Sequence, residues 1–297
     1  MNFKNVTVAG SGVLGYQIAF QTAFHGFKVS VYDINDEVLA KAKAKFFELS
    51  ECYKRDINAT QEQLDNVFNN LSYQSNLAEA VKDADLMIEA VPEDPAIKRE
   101  FYEKLSQVAP EKTVFATNTS TLLPSQFKDV TGRPEKFLAL HFANLIWVNN
   151  MAEIMGHDTT DKQVFEDLVQ FAKAIGMVAL PVYKEQPGLI LNSMLLPYCV
   201  SALELWINEV SDPHTIDKTW MKSFGSPKGP FAILDIIGIT TAYNIAKLHA
   251  DVNPIMARIK ERLENEFINQ NKLGLPTGQG FYSYPNPAYE SATFLKG

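Results

Sequence analysis

The chain has 297 residues, 46% hydrophobic and 21% charged, which places it among globular proteins with room for two domains rather than among disordered chains. Its formal net charge of −8, with no long basic run, argues against nucleic-acid binding and leaves an anionic substrate to a local basic patch. Cys52 and Cys199 give neither a disulfide framework nor the paired spacing of a zinc site, so reduced thiols and no metal are expected.

The first element in chain order is an apolar strand over 3–9 that runs into Gly10-Ser11-Gly12-Val13-Leu14-Gly15. A second apolar segment over 28–31 leads into Tyr32-Asp33, eighteen positions beyond Gly15. Gly10 permits the tight strand-to-helix turn, Gly12 lets the backbone approach a pyrophosphate, and Gly15 allows close helix–strand packing. The pyrophosphate would rest on the N-terminus of a helix beginning near Val13 and Leu14, where N–H groups and the helix dipole favour an anion. Asp33 would accept hydrogen bonds from the adenosine ribose and repel a 2′-phosphate, so NAD is expected rather than NADP. Flavin sites share this fingerprint, and a glycine-rich turn in some other α/β protein is the plainer alternative.

Next come helices over 36–54 and 61–68, a buried strand over 84–91, a helix over 95–108, and strands over 114–117, 137–142, 151–155 and 177–181, with a helix over 162–175 between the last two. Strands alternating with helices specify a doubly wound parallel sheet. From about residue 185 helices dominate, over 188–210, 213–223, 238–248 and 254–269, with Asp212-Pro213 as an N-cap and first-turn pair. The expected fold class is therefore α/β, a Rossmann-type doubly wound parallel sheet (1–185) followed by an all-α C-terminal domain (186–297). The apolar stretch 188–207 is interrupted by Asn192, Pro197, Ser201 and Glu204 and suits a buried helix better than a membrane span. Residues 1–20 lack the pattern of a secretory leader, and a cytoplasmic protein is expected.

Ligands in open α/β sheets gather where strands end, and four segments fall there: 89–93, 117–120, 141–144 and 151–154. His141 ends one strand and Glu153 lies in the next. If those strands are neighbours, the carboxylate can fix one ring nitrogen and leave the other free to act as a base. A hydroxyl being oxidised to a ketone must lose a proton, and such a dyad serves that need. Taken singly, each residue has an ordinary structural explanation.

Together the residues resemble the short-chain L-3-hydroxyacyl-CoA dehydrogenases, including the bacterial 3-hydroxybutyryl-CoA dehydrogenases, along nearly the whole chain. The resemblance lies in 8–15, 84–93, Asn118-Thr119-Ser120, His141-Phe142 with Asn144, 186–192, Lys228-Gly229-Pro230-Phe231 with Asp235 and Gly238, and 277–282. Flavin enzymes do not share that series. The resemblance implies NAD as cofactor, His141 as general base, Glu153 as its orienting partner, and Ser120 and Asn192 as contacts to substrate oxygen. It also implies Glu93, Lys98, Asn118 and Asn144 at the nicotinamide half of NAD, a role in fatty-acid metabolism, and a homodimer built on the apolar helices of the C-terminal domain.

The chain departs from the family where His-Phe-Phe-Asn-Pro is usual, carrying Ala143 and Leu145, and Ser193 stands where an arginine usually follows the helix asparagine. The segment 146–151 also lacks the usual proline–methionine–lysine pattern. These changes fall on the expected substrate side. A relative acting on a free 3-hydroxy acid, of gulonate or carnitine type, is thus a second reading, and a non-catalytic NAD-binding protein a third. Lys54 and Arg55 are the basic candidates for a CoA phosphate, with two solvated side chains as the alternative.

Overall fold

The computed structural model describes residues 3–296. Contacts divide the chain into two units, with the division between Asn192 and Ser193. The first unit begins β1 (Asn5–Ala9), α1 (Gly15–Phe24), β2 (Lys28–Tyr32), α2 (Asp36–Ile57), α3 (Gln61–Asn70), β3 (Leu71–Gln74), α4 (Leu77–Val81), β4 (Leu86–Glu89) and α5 (Pro95–Val108). It continues with β5 (Val114–Thr117), β6 (Phe137–Phe142), β7 (Met151–Met155), α6 (Lys162–Ala174) and β8 (Val178–Val182). The eight strands form one sheet in the order β3-β2-β1-β4-β5-β6-β7-β8.

Polar side chains fix where the helices start. Asn35 accepts the Val38 N–H at the head of α2, Thr60 and Gln63 form a capping box on α3, and Asp94 accepts the Ala96 and Ile97 N–H groups before Pro95 opens α5. Each such cap contributes about 1 kcal/mol. The strands carry the apolar runs that a sheet covered on both faces requires: every residue of β4, β5 and β6 is buried.

One feature differs from an all-parallel sheet. β1 to β6 run parallel, but β7 pairs antiparallel with β6, and β8 follows β7 in parallel. The reason is the length of the connection. Residues 143–150 are too few for a parallel crossover, which needs a dozen or more residues, whereas α6 supplies one between β7 and β8. The antiparallel register sets His141 directly opposite Glu153.

The helix expected near Val13 starts at Gly15 instead, and β3, α4 and a further C-terminal helix were not expected. The second unit holds most of α7 (Leu189–Ile207), then α8 (Pro213–Phe224), α9 (Pro230–Ile237), α10 (Ile239–His249) and α11 (Pro254–Glu266). Its core gathers Leu203, Trp206, Phe231, Leu234, Ile259 and Leu263. Two buried carboxylates tie the unit together. Asp217 accepts the Phe231 and Ala232 N–H groups and the Tyr282 hydroxyl, and Asp235 accepts the Phe281 and Tyr282 N–H groups and the Tyr284 hydroxyl.

α7 is long and apolar enough to cross a membrane by length and composition. The expectation of a buried helix is only partly met, because 28% of that stretch is buried. In the second unit Leu205, Val210 (65% exposed), Trp220 and Phe224 (70% exposed) share an apolar groove.

Candidate active site

The site lies at the ends of β1, β2, β4, β5 and β6. A Cβ on Gly15 would overlap the Gly10 carbonyl oxygen, so glycine is what lets α1 pack against the turn after β1. Gly10 has φ 94, and a side chain there would run into the Ala90 backbone. Gly12 faces open space. Gly10 and Gly12 border a cleft of about 670 Å³ that also reaches Asp33, after β2, and Ala90 to Pro92 after β4. An open glycine beside a helix N-terminus, with an acid one strand away, fits the pyrophosphate and ribose of a dinucleotide. Asp33 Oδ2 accepts the Ser11 N–H (2.8 Å) and the Ser11 hydroxyl (2.6 Å), while Oδ1 accepts the Ile34 N–H (2.8 Å).

His141 and Glu153 meet across the antiparallel pair. His141 Nδ1 lies 2.9 Å from Glu153 Oε2, and Nε2 lies 3.1 Å from Ser120 Oγ. Glu153 is fully buried. Its second oxygen accepts the Ile190 (2.8 Å) and Leu191 (2.9 Å) N–H groups in the first turn of α7. Burial pushes the Glu153 carboxyl up, but the hydrogen bonds from His141, Leu191 and Ile190, with the attraction of the ring, hold it below the usual carboxylate range. A carboxylate there is therefore ionised, and it holds the proton on His141 Nδ1. Nε2 is the ring nitrogen that faces the Ser120 hydroxyl.

The Ser120 loop is held from below. Glu93 Oε1 accepts the Ser120 and Thr121 N–H groups, each at 3.0 Å, and the Thr119 (2.6 Å) and Thr121 (2.9 Å) hydroxyls. Burial raises the Glu93 carboxyl, and the hydroxyl bonds together with the nearby Lys98 charge bring it below its ordinary value. Lys98 is placed differently from the expectation that it would sit at the nicotinamide half. It is 1% exposed, and its Nζ is enclosed between Glu89 Oε1 (2.7 Å) and Glu93 Oε2 (3.2 Å). Its position at the end of the first turn of α5 lets it reach the carboxylate at the end of β4. Glu89 Oε2 in turn accepts the Tyr102 (2.9 Å) and Thr117 (2.7 Å) hydroxyls.

Asn118 Oδ1 accepts the Phe142 N–H at 3.0 Å, which ties the end of β5 to the residue after His141. Asn144 lies in the loop after β6, where its Oδ1 accepts from Gln17. Asn192 donates its backbone N–H to Gly188 in the first turn of α7. The departing segment packs inward: Ile146 is buried, and Trp147 lies 5.6 Å from the Tyr53 ring and donates its Nε1–H to Asp56 at 2.9 Å. Lys54 pairs with Glu51 and Arg55 with Asp56, each at 2.7 Å. The sequence reading passed over Gln17, Ser11 and Thr119. A glutamine and a serine among the apolar and glycine residues of 8–20 were the available signal.

A dinucleotide cleft on a doubly wound sheet, beside a histidine held between a buried carboxylate and a hydroxyl, defines an NAD-dependent oxidoreductase. Residues 5–186 match the family described as 3-hydroxyacyl-CoA dehydrogenase, NAD binding domain, and residues 188–284 match its C-terminal domain. The chain belongs to the 3-hydroxyacyl-CoA dehydrogenase family. It is similar to the mitochondrial hydroxyacyl-coenzyme A dehydrogenase of Homo sapiens, with 32% identity over 95% of this chain and 91% of that one. It is equally similar to the probable 3-hydroxybutyryl-CoA dehydrogenase of Bacillus subtilis (strain 168), with 32% identity over 96% and 98% of the two chains. Among solved structures it resembles a diketoreductase described as carrying out substrate-directed dual catalysis of dicarbonyl compounds. That match has 51% identity, a TM-score of 0.92, and covers 96% of this chain and 100% of the other.

Proposed function

We propose that this chain interconverts an L-3-hydroxyacyl-CoA and its 3-oxoacyl-CoA, with His141 as the group that takes and returns the hydroxyl proton. The nicotinamide of bound NAD supplies the hydride acceptor. A substrate oxygen seated beside His141 Nε2 and the Ser120 hydroxyl gives its proton to the ring while it accepts the serine hydrogen. Glu153 keeps the tautomer that leaves Nε2 basic and balances the positive charge the ring then carries. In the reverse direction the charged ring donates to the 3-oxo oxygen. Asn192 is assigned to substrate oxygen with Ser120. Gly10, Gly12, Val13, Leu14, Gly15 and Asp33 are assigned to the adenosine diphosphate half of NAD, and Glu93, Asn118 and Asn144 to the nicotinamide half. Lys98 acts through Glu93 rather than by touching the cofactor.

The observation that carries this reading is the placement of His141 between Glu153 and Ser120. Replacing His141 by Gln is expected to stop NADH consumption with acetoacetyl-CoA while NADH binding persists. Turnover retained in that variant overturns the assignment.

A second reading has its own support. The 51% identical diketoreductase and the altered segment after Asn144 favour a dicarbonyl compound or free 3-hydroxy acid, without CoA, as substrate of the same chemistry. The pairing of Lys54 and Arg55 with neighbouring carboxylates points the same way. Initial rates with acetoacetyl-CoA, acetoacetate and an uncharged 1,3-dicarbonyl separate the two readings. Consumption with the thioester alone keeps CoA, and consumption with the free carbonyls alone removes it.

We further propose a cytoplasmic homodimer, without nucleic-acid or membrane partners. The apolar groove at Leu205, Val210, Trp220 and Phe224 supports the dimer, and the two free thiols support the compartment. A solution mass of one chain overturns the dimer.

A further inference from the structure

Gln17 is 1% exposed, yet both ends of its carboxamide are engaged. Nε2 donates to the Val13 carbonyl and to Asn144 Oδ1, each at 2.7 Å, and Oε1 accepts the Leu145 N–H at 2.9 Å and the Ile146 N–H at 3.4 Å. A backbone N–H can only donate and a backbone carbonyl can only accept, so these partners allow the amide one orientation. The N–H end of Gln17 therefore faces Asn144, and Asn144 must turn its oxygen toward it. The Leu145 N–H reaches that same oxygen at 3.0 Å. What Asn144 has left to offer a ligand is its pair of N–H donors.

The turn that carries Asn144 depends on outside support. Leu145 has φ 61, a left-handed conformation that an L side chain rarely adopts. Gln17 satisfies the Leu145 and Ile146 N–H groups, which flank the Leu145 Cα, and links them to Val13, within the glycine turn.

We propose that Gln17 is a positioning residue that couples the dinucleotide turn to the loop after His141 and fixes Asn144 as a hydrogen-bond donor toward an acceptor on the nicotinamide half of the cofactor. The proposal rests on the assignment of Asn144 to that half. A carboxamide oxygen is an acceptor whose chemistry fits one such amide N–H donor.

The test compares NADH with ADP-ribose, which lacks the nicotinamide, by titration calorimetry on the full-length wild type and on Gln17→Met, Gln17→Glu and Asn144→Ala. Gln17→Met removes both ends of the amide, and Gln17→Glu keeps an acceptor for the loop N–H groups, so a folding defect in one leaves the other readable. In both Gln17 variants the affinity for NADH relative to ADP-ribose is expected to fall roughly three- to tenfold, the loss that follows removal of one neutral hydrogen bond. Asn144→Ala is expected to show at least the same fall. An unchanged ratio in the Gln17 variants with a reduced ratio in Asn144→Ala overturns the role of Gln17 and keeps that of Asn144. An unchanged ratio in Asn144→Ala overturns the assignment of Asn144 and the proposal with it.

Discussion

Glu153 accepts the Ile190 backbone N–H at 2.8 Å, so the carboxylate that meets His141 also closes the first turn of α7. One buried side chain thus serves the ring and the helix, and a change there is felt in both. Replacing Glu153 by Gln removes the charge opposite His141 and is expected to lower kcat by roughly 10²–10⁴-fold. It also lowers the melting temperature, because a helix N-terminus loses its anion. The pH dependence has a definite sign. The folded carboxyl sits below its ordinary value of 4.5, so its stabilisation is present above that pH and is lost as the pH falls through the lower folded value. The stability gap between wild type and variant is widest near neutral pH and closes on acidification, as urea unfolding across the acid range reads directly.

Asp33 controls which dinucleotide is accepted. Replacing it by Ser removes the carboxylate that now holds Ser11 and would repel a 2′-phosphate. The ratio of kcat/KM for NADPH over NADH is expected to rise roughly tenfold or more, equivalent to about 1.4 kcal/mol of relieved repulsion. Steady-state rates with each cofactor at fixed substrate check this. An unchanged ratio places the ribose elsewhere.

Lys98 is buried against two carboxylates, and removing it leaves Glu89 enclosed without a counter-charge. The Lys98→Met variant is expected to lose about 3–5 kcal/mol of unfolding free energy. Pairing it with Glu89→Gln restores much of the loss, because the orphaned charge goes as well. Denaturant titration of the single and double variants measures the difference. If Lys98→Met is as stable as wild type, the buried pair holds nothing.

The Asp235 carboxyl behaves in the opposite sense to Glu153. Burial pushes it up to about 6, against the pull of the Phe281, Tyr282 and Tyr284 hydrogen bonds and with added repulsion from Asp217. A raised folded value means its contribution is full below the ordinary value of 3.8 and is lost as the pH rises through about 6. Asp217, Tyr282, Tyr284 and Tyr289 are the titratable groups around it, and Asp217 is raised as well, first by burial. Melting curves from about pH 4 to about pH 7, a range that spans the ordinary and the raised values, should show wild type losing stability with rising pH more steeply than Asp235→Asn. Equal slopes would remove Asp235 as the source.

Much of the first unit was legible because its chemistry is local. The apolar runs at 114–117, 137–142 and 151–155 end where β5, β6 and β7 end, and Asp94-Pro95 marks the head of α5. The glycines and Asp33 stood out by residue type and offset, whereas His141 and Glu153 took on meaning only as a pair and through the family resemblance. β3 escaped because Leu-Ser-Tyr-Gln is short and only half-buried, and α9 because Phe-Ala-Ile-Leu-Asp-Ile-Ile is short and apolar at every position but Asp235, which leaves no polar face to mark a helical period. The direction of β7 depends on a connection length, which was visible in the sequence, set against a crossover rule. Gln17, and the partners of Lys98, were hidden for a different reason. Glu89 lies 9 positions from Lys98 and Asn144 lies 127 from Gln17, and only the folded sheet brings Glu89 under α5 or Asn144 over α1.

The hairpin of β6 and β7 divides heredity as well as space. His141 and Glu153 face each other on one rung, fixed by ladder register, while residues 143–150 form its tip. Changes at tip positions other than Asn144, Leu145 and the buried Ile146 and Trp147 can therefore leave that rung in place. On the proposed function, such changes would alter which carbonyl compound is taken while the His141–Glu153 pair keeps its means of moving a proton.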